Sequence, residues 1–321
     1  EEYMTLHVPQ GTCILYLWQN RHTVVIGKNQ NCWRECRVNF LEQESGYLVR
    51  RLSGGGAVFH DLGNLNFTFI VGAGDYDVSR QLDVILEAVR SLGIHAEKTG
   101  RNDITVDGRK FSGNAFYRTG DGCYHHGTIL IRADKENMSR YLNVSKEKLA
   151  SKGVTSVKSR VANLCEFKPD ITLEEVKSAL VEAFSKVYGQ PAVRMEEGEL
   201  PQPDIDARTE KFASWQWKYG RKIPFEYEME KRFPWGNIQI QFHVDEGMIQ
   251  DVNVFSDAMD QEMIGMLAEQ LKGCAYAEED ICRAVKAVGT DAFQAGEYTG
   301  ADEPQSCRIK EDIMTLVRES L

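Results

Sequence analysis

A chain of 321 residues, 42% of them hydrophobic and 27% charged, is long enough for two domains and has the balance of an ordinary soluble globular protein. No apolar run approaches the roughly 20 residues that a membrane span requires, so no bilayer anchor is expected. Thirty-eight basic against 48 acidic residues leave a formal charge of -10, which opposes broad contact with a phosphate backbone and sets nucleic-acid binding aside.

The chain starts at Glu1-Glu2 without a methionine. Its eight cysteines are scattered, contain no C-x-x-C and follow no secretory leader, so reduced thiols and a cytoplasmic location are expected. Cys32 and Cys36 stand four apart, but one such spacing without a partner pair is a weak metal signal.

Two runs, Cys13 to Trp18 and Thr23 to Gly27, read as strands joined by the polar turn Gln19-Asn20-Arg21-His22. Trp33 to Glu44 reads as a short helix. Next comes Arg50-Arg51-Leu52-Ser53-Gly54-Gly55-Gly56-Ala57-Val58-Phe59-His60-Asp61-Leu62-Gly63-Asn64. Three consecutive glycines remove every Cβ from the loop, so an anion or flat ligand can meet bare peptide N–H groups there. The two arginines before it carry planar donors suited to phosphate or carboxylate. A lone triple glycine is more often a plain turn with solvated arginines. Here Gly63-Asn64 and the alternating run Leu65 to Ile70 follow it and set the loop inside a sheet.

The spacing of Leu82, Ile85, Val89 and Leu92 marks a helix packed by one stripe and ended by Gly93. Asp107-Gly108 is a strong two-residue hairpin signal. On its second strand Arg109 and Phe111 share one face and Lys110 takes the other, which brings a lysine and the small pair Ser112-Gly113 into one sheet with the glycine loop. Cys123 to Ile131 is a further strand. Its adjacent His125 and His126 point to opposite faces and make a poor chelating pair, so His126 is expected as a structural hydrogen-bond former near the site.

Asp134 to Leu142 reads as a short helix, and Ser151 to Asn163 as a basic, hydroxyl-rich loop with the composition of a flap over phosphate or of a solvated linker. Thr172-Leu173-Glu174-Glu175 is a capping box for a helix to about Tyr188. The polar, proline-punctuated stretch from Gly189 to Pro203 divides a first domain, 1–190, from a second, 204–321. Beyond it the tryptophans of Ala213 to Gly220 read as core fillers. Two strands, Asn237 to Val244 and Met248 to Phe255, precede helices near Gln261 to Leu271, Asp280 to Val288 and Glu311 to Leu321, which make a small α+β unit.

Together the arginine and glycine run, Gly100-Arg101-Asn102-Asp103, Lys110-x-Ser112-Gly113, His126-Gly127-Thr128 and Lys152-Gly153-x-Thr155-Ser156-Val157 resemble the bacterial, two-domain lipoate-protein ligases. The resemblance covers nearly the whole chain. It implies an α+β fold in which a large domain with a mixed β-sheet flanked by helices, shared with biotin ligases, carries a small C-terminal domain that swings. Against that pattern the opening strand and most of the first helix are expected to lie outside this sequence.

The activity implied is ligation of free lipoate, with ATP and Mg2+, through lipoyl-adenylate to a lysine of a carrier. The implied carriers are the lipoyl domains of 2-oxoacid dehydrogenase acyltransferase subunits and the glycine cleavage H protein, served by a monomer. Lys110 is the implied catalytic cation. Arg51, Gly56, Ala57, Val58, Phe59, Asn102, Asp103, Lys152, Gly153 and Val154 are expected at the nucleotide, Asp103 weakly at magnesium. Ser53, Gly54, Gly55, Gly56, Lys110, Ser112, Gly113 and His126 are expected at lipoate.

The chemistry asks for the same things. A carboxylate must attack an anionic α-phosphate, so fixed positive charge and backbone donors are needed around phosphorus. Competing readings are a lipoyl or octanoyl transferase fed by an acyl carrier or preformed adenylate, with Cys123 or Cys165 as nucleophile, and a non-catalytic lipoate-binding module. No side chain reads the dithiolane specifically, so the site is also compatible with octanoate.

Overall fold

The structure, a computed structural model, describes residues 1–99, 103–143, 161–289 and 305–321. It divides into two units, one of Glu1–Val25, Trp33–Arg50 and Ala57–Lys218, the other of Ile26–Cys32, Arg51–Gly56 and Tyr219–Leu321. Each is described by itself.

Strands of the first unit form where β-branched and aromatic residues cluster. They are β1 (Cys13–Trp18), β2 (Thr23–Ile26), β3 (Tyr47–Arg50), β4 (Val58–His60), β5 (Asn64–Gly72), β6 (Glu97–Thr99), β7 (Asp103–Val106), β8 (Arg109–Arg118) and β9 (Gly122–Leu130). A six-stranded sheet runs in the order β1-β5-β9-β8-β7-β6, and a three-stranded one in the order β3-β2-β4. The α+β class is as expected. Every named strand pair in the large sheet is antiparallel, with one parallel bridge between Lys110 and Val161.

The strand β5 alternates in polarity as expected, yet all nine of its positions are buried. Helices cover both faces. Phe69 meets Phe184 of the helix Leu173–Tyr188, and Leu82, Ile85 and Val89 of the helix Val78–Ser91 are buried, while the Glu2–His7 helix lies against β5 and β9. The helix Leu173–Tyr188 packs on Val78–Ser91 and begins with the expected capping box, Thr172 N donating to Glu175 Oε2 at 2.8 Å and Glu175 N to Thr172 Oγ1 at 3.2 Å.

The first two strands do not form the expected hairpin. At half-buried positions β1 pairs with β5 as an edge, whereas β2 is buried throughout and sits between β3 and β4. The expected helix from Trp33 to Glu44 is two helices, Cys32–Glu35 and Val38–Gln43. Between them Cys36 bridges to Leu142 and Arg37 N donates to Tyr141 O, so the chain leaves its own helical ladder.

A helix at Gln202–Ala213 and a short one at Trp215–Tyr219 follow the stretch that reads as boundary, where no helix is expected. Neither buries a residue fully, so no apolar stripe announced them. Trp215 is 60% exposed, against the expectation of a core role, and Trp235 fills that role in the second unit.

In the second unit β10 (Tyr227–Phe233), β11 (Gly236–Asp245) and β12 (Met248–Ser256) form an antiparallel meander. Helices Gln261–Leu271, Glu278–Ala287 and Gln305–Ser320 bury Leu267, Ile281, Val285, Ile313 and Val317 in one cluster with Ile238, Ile240, Phe242 and Val252. The strand β10 has no clear signal because Glu228, Glu230 and Lys231 face water while Met229 alone is buried.

The same unit holds the glycine loop. Arg51 N donates to Ile26 O at 3.0 Å, Lys28 N to Ser53 O at 2.9 Å and Gly55 N to Ala258 O at 3.1 Å. A Cβ on Gly54 would overlap Ala258 O and stand 2.7 Å from Met259 O. The space expected for a ligand over Gly54 is therefore filled by the chain's own peptide. Both obstacles are backbone, so Gly54→Ala is expected to cost about 1–3 kcal/mol, read as a lowered denaturation midpoint; an unchanged midpoint would contradict this packing.

Candidate functional site

The hairpin that carries Lys110 turns at Asp107 and Gly108, whose φ values of 50° and 70° are those of a type I′ turn. Val106 pairs with Arg109 and Thr105 with Lys110, but Ile104 pairs with Ser112 and Asp103 with Gly113. One extra residue on β8 is a β-bulge, which re-aims the side chains after it. Lys110 and Gly113 thus share one face with Thr105 and Asp103, while Ser112 turns with Ile104 to the other. Without the bulge Ser112 would have stood beside Lys110.

On that face the Lys110 ammonium is 2.6 Å from Asp103 Oδ1, with the two side chains 23% and 18% exposed. The lysine stem lies over Gly113. A Cβ there would overlap Nζ and stand 2.6 Å from Cε. The backbone beneath is held as well: Ala162 N donates to Lys110 O at 2.8 Å, and Gly113 N to Thr128 Oγ1 at 3.3 Å.

The register carries this face across the sheet. Ala115 pairs with His126, His126 with Thr68, and Thr128 with Asn66, so His126 and Thr128 stand on the same side as Lys110. His126 makes the expected hydrogen bond, its Nδ1 lying 2.8 Å from Glu1 Oε1, which also accepts from Thr68 Oγ1 at 2.7 Å. Burial pushes the Glu1 carboxyl up, but the His126 imidazole and these hydrogen bonds outweigh it and hold it at about 2.

The opposite face is core. His125 lies there against Phe67 and Phe69, with Nε2 at 2.8 Å from Asn114 Oδ1 and Nδ1 at 3.2 Å from Gln81 Oε1. Burial, with the charges of His126 and Lys98, lowers it to about 3, so it is a neutral packing residue. Ser112 is fully buried on this face, and its Oγ meets no hydrogen-bond partner among the described residues.

The glycine loop is not in the sheet of Lys110, contrary to expectation. It links β3 to β4 in the three-stranded sheet, and Arg51 to Gly56 group with the second unit. Within that unit the Arg51 guanidinium closes on its own loop, donating to Ser53 Oγ at 3.0 Å, Gly54 O at 2.7 Å and Gly56 O at 2.9 Å. It sets the loop's shape. In the first unit Arg50 is 7% exposed and donates to Trp217 O at 2.8 Å and Lys218 O at 2.9 Å, while Trp217 Nε1 returns a bond to Arg50 O at 2.8 Å. Arg50 therefore anchors the segment after Gln202–Ala213 rather than facing an anion.

Ala57, Val58 and Phe59 lie in or beside β4, where Val58 pairs with Val25 and Phe59 with Val24. This is an edge strand, so alternate peptide groups face away from its ladder. Asn102, Lys152, Gly153 and Val154 lie outside the described residues. The described end of the basic loop is pinned by Glu166, which pairs with Arg109 at 2.7 Å and Lys135 at 2.5 Å and accepts from Asn163 N at 2.7 Å. Burial raises the Glu166 carboxyl, and these donors overcome it and hold it at about 2.

Among the described residues no group of three His, Cys, Asp or Glu is arranged to hold a metal ion, and no helix is long and apolar enough to cross a membrane. Cys123 is fully buried and Cys165 half-buried. Sequence reasoning missed the Lys110–Asp103 pair, which depends on a bulge that no residue pattern announces, and the Arg50 anchor and the Ala258–Met259 peptide over Gly54, which depend on long-range pairing.

Residues 1–185 match the family model of the lipoyl protein ligase A/B catalytic domain, and residues 222–300 that of the bacterial lipoate protein ligase C-terminus. A crystal structure of P. falciparum LipL1 in complex with lipoate is similar over 94% of this chain and 87% of that one, at 31% identity and a TM-score of 0.78. A structure from an archaeal lipoylation system, described as a bi-partite lipoate protein ligase and its E2 lipoyl domain from Thermoplasma acidophilum, matches 69% of this chain and 91% of its own at 27% identity and a TM-score of 0.59. A lipoate-protein ligase A bound with ATP matches 68% of this chain and 91% of its own at 26% identity and a TM-score of 0.58. The chain belongs to the lipoyl protein ligase A/B family.

Proposed function

We propose that this protein is an ATP-dependent lipoate-protein ligase that makes lipoyl-AMP and passes the lipoyl group to a carrier lysine. The observation that carries this reading is the Lys110 ammonium, set 2.6 Å from Asp103 and laid over Gly113 on a strand face, in a chain of this family. Binding a fatty acid alone requires no such fixed cation. The similar structures that hold lipoate and ATP support the choice of substrates, and the one described with an E2 lipoyl domain supports lipoyl domains as acceptors. Acceptance of the glycine cleavage H protein belongs to the same reading.

In the first step a carboxylate oxygen of lipoate attacks the α-phosphorus, the bond from phosphorus to the bridging oxygen breaks, and pyrophosphate leaves with that electron pair. In the second the carrier amine attacks the acyl carbon, AMP departs, and the amine loses a proton to solvent. Charge gathers on the phosphoryl oxygens in the first step and on the acyl oxygen in the second. A pre-set ammonium stabilises both more than it stabilises the ground state. The β4 edge, Ala57 to Phe59, offers peptide donors suited to the nucleotide.

Mg2+ ordinarily accompanies nucleotide phosphates and shields their charge. The Asp103 carboxylate expected to help hold it faces Lys110 instead, and no described cluster replaces it, so no step above runs through the metal. A transferase that uses Cys123 as its nucleophile fits less well, because Cys123 is fully buried in β9.

Mass spectrometry of an apo lipoyl domain incubated with the protein, lipoate and Mg-ATP tests the reading, with lipoate-dependent pyrophosphate release as its companion. The intact protein is expected to do both. Lys110→Ala is expected to lose on the order of 3 kcal/mol or more of transition-state stabilisation, at least about a hundredfold in rate, with an unaltered melting curve. A comparable rate in the variant would remove the lysine from this role.

A further inference from the structure

We propose that Asp103 is a positioning residue acting through Lys110, and that Gly113 is glycine because the lysine ammonium occupies the space a side chain would need. This deepens the ligase reading and rests on it for its catalytic consequence. The two residues form one cradle by register, since Asp103 on β7 pairs directly with Gly113 on β8. The extra residue on β8 brings Lys110 to their side of the sheet. The carboxylate fixes the ammonium laterally at 2.6 Å, and the bare Cα of Gly113 lets the stem lie flat on the strand.

A lysine side chain has rotamer entropy to lose when it is ordered. Asp103 and Gly113 impose that ordering before substrate arrives, so it does not fall on the chemical step. An ammonium has three donors, and one contact to Asp103 is compatible with donation to a phosphoryl or acyl oxygen. The assignment separates Asp103 from a metal-binding role. A magnesium ligand would face the nucleotide phosphates, whereas this carboxylate is turned to the ammonium that those phosphates are proposed to use.

The experiment compares Asp103→Asn, Asp103→Glu and Gly113→Ala with the intact protein in lipoate-dependent pyrophosphate release, across a magnesium series. Asp103→Asn and Gly113→Ala are expected to lower kcat by about a hundredfold. The KM for ATP and the magnesium concentration at half-maximal rate should stay unchanged, and Asp103→Glu should recover part of the rate. A raised magnesium requirement, with rate restored at high magnesium, would overturn the proposal in favour of a metal ligand. An unchanged kcat in Asp103→Asn would overturn it outright.

A second measurement needs neither substrate nor turnover. The Nζ resonance of Lys110, identified by its loss in Lys110→Arg, is expected to show hydrogen exchange slower than that of the protein's exposed lysines, and exchange as fast as theirs would refute the pair. If the intact protein releases no pyrophosphate with lipoate, the ligase reading fails while this measurement still decides the cradle. If it releases pyrophosphate but the Nζ exchanges freely, only the cradle fails.

Discussion

The contact on which the chemistry proposed for the first unit depends is the ion pair between the Lys110 ammonium and the Asp103 carboxylate, made across two neighbouring strands and over a residue with no side chain. For a largely buried ion pair the cost of desolvating both charges offsets much of their attraction, so the pair is weak evidence for stability. Its worth lies in geometry, because it turns a long flexible stem into a charge at a known place. Three local devices produce it: a type I′ turn that starts the hairpin, a bulge that shifts the alternation by one, and a glycine beneath the ammonium.

The large sheet separates a packed face from a polar one. On one side Phe67, Phe69, Ile104, Phe111 and the neutral His125 form a buried layer against helices. On the other, Asp103, Lys110, Thr128, Asn66, Thr68 and His126 form a polar row. Two consecutive histidines illustrate the division: His125 is locked between amides in the core, and His126 faces the Glu1 carboxylate on the polar side. The glycine loop, by contrast, is shaped by protein. Arg51 closes on its carbonyls and the Ala258–Met259 peptide packs on Gly54, so much of its glycine content answers to close backbone approach.

Features written in short, local chemistry were legible in the sequence. Asp107-Gly108, the Thr172–Glu175 box and the stripe from Leu82 to Val89 each state their structure within a few residues, whereas Lys110 stands out only through the family resemblance that Lys110-x-Ser112-Gly113 helps to carry. What escaped notice was set by distant pairing. Whether Cys13–Trp18 and Thr23–Ile26 form a hairpin depends on β5 and β4, and the bulge in β8 becomes visible only against the register of β7. The strand β10 and the helix Gln202–Ala213 bury too little apolar surface to show a period. The two arginines before the glycines look alike in sequence, yet Arg50 clasps Trp217 and Lys218 while Arg51 clasps its own loop.

The most direct test of this account is a crystal structure of the protein with a non-hydrolysable lipoyl-adenylate analogue. Lys110 Nζ should lie within hydrogen-bonding distance, about 3 Å, of an oxygen flanking the mixed-anhydride linkage, with Asp103 still at its side. An analogue bound with that linkage away from the Lys110 face of the sheet would contradict the account.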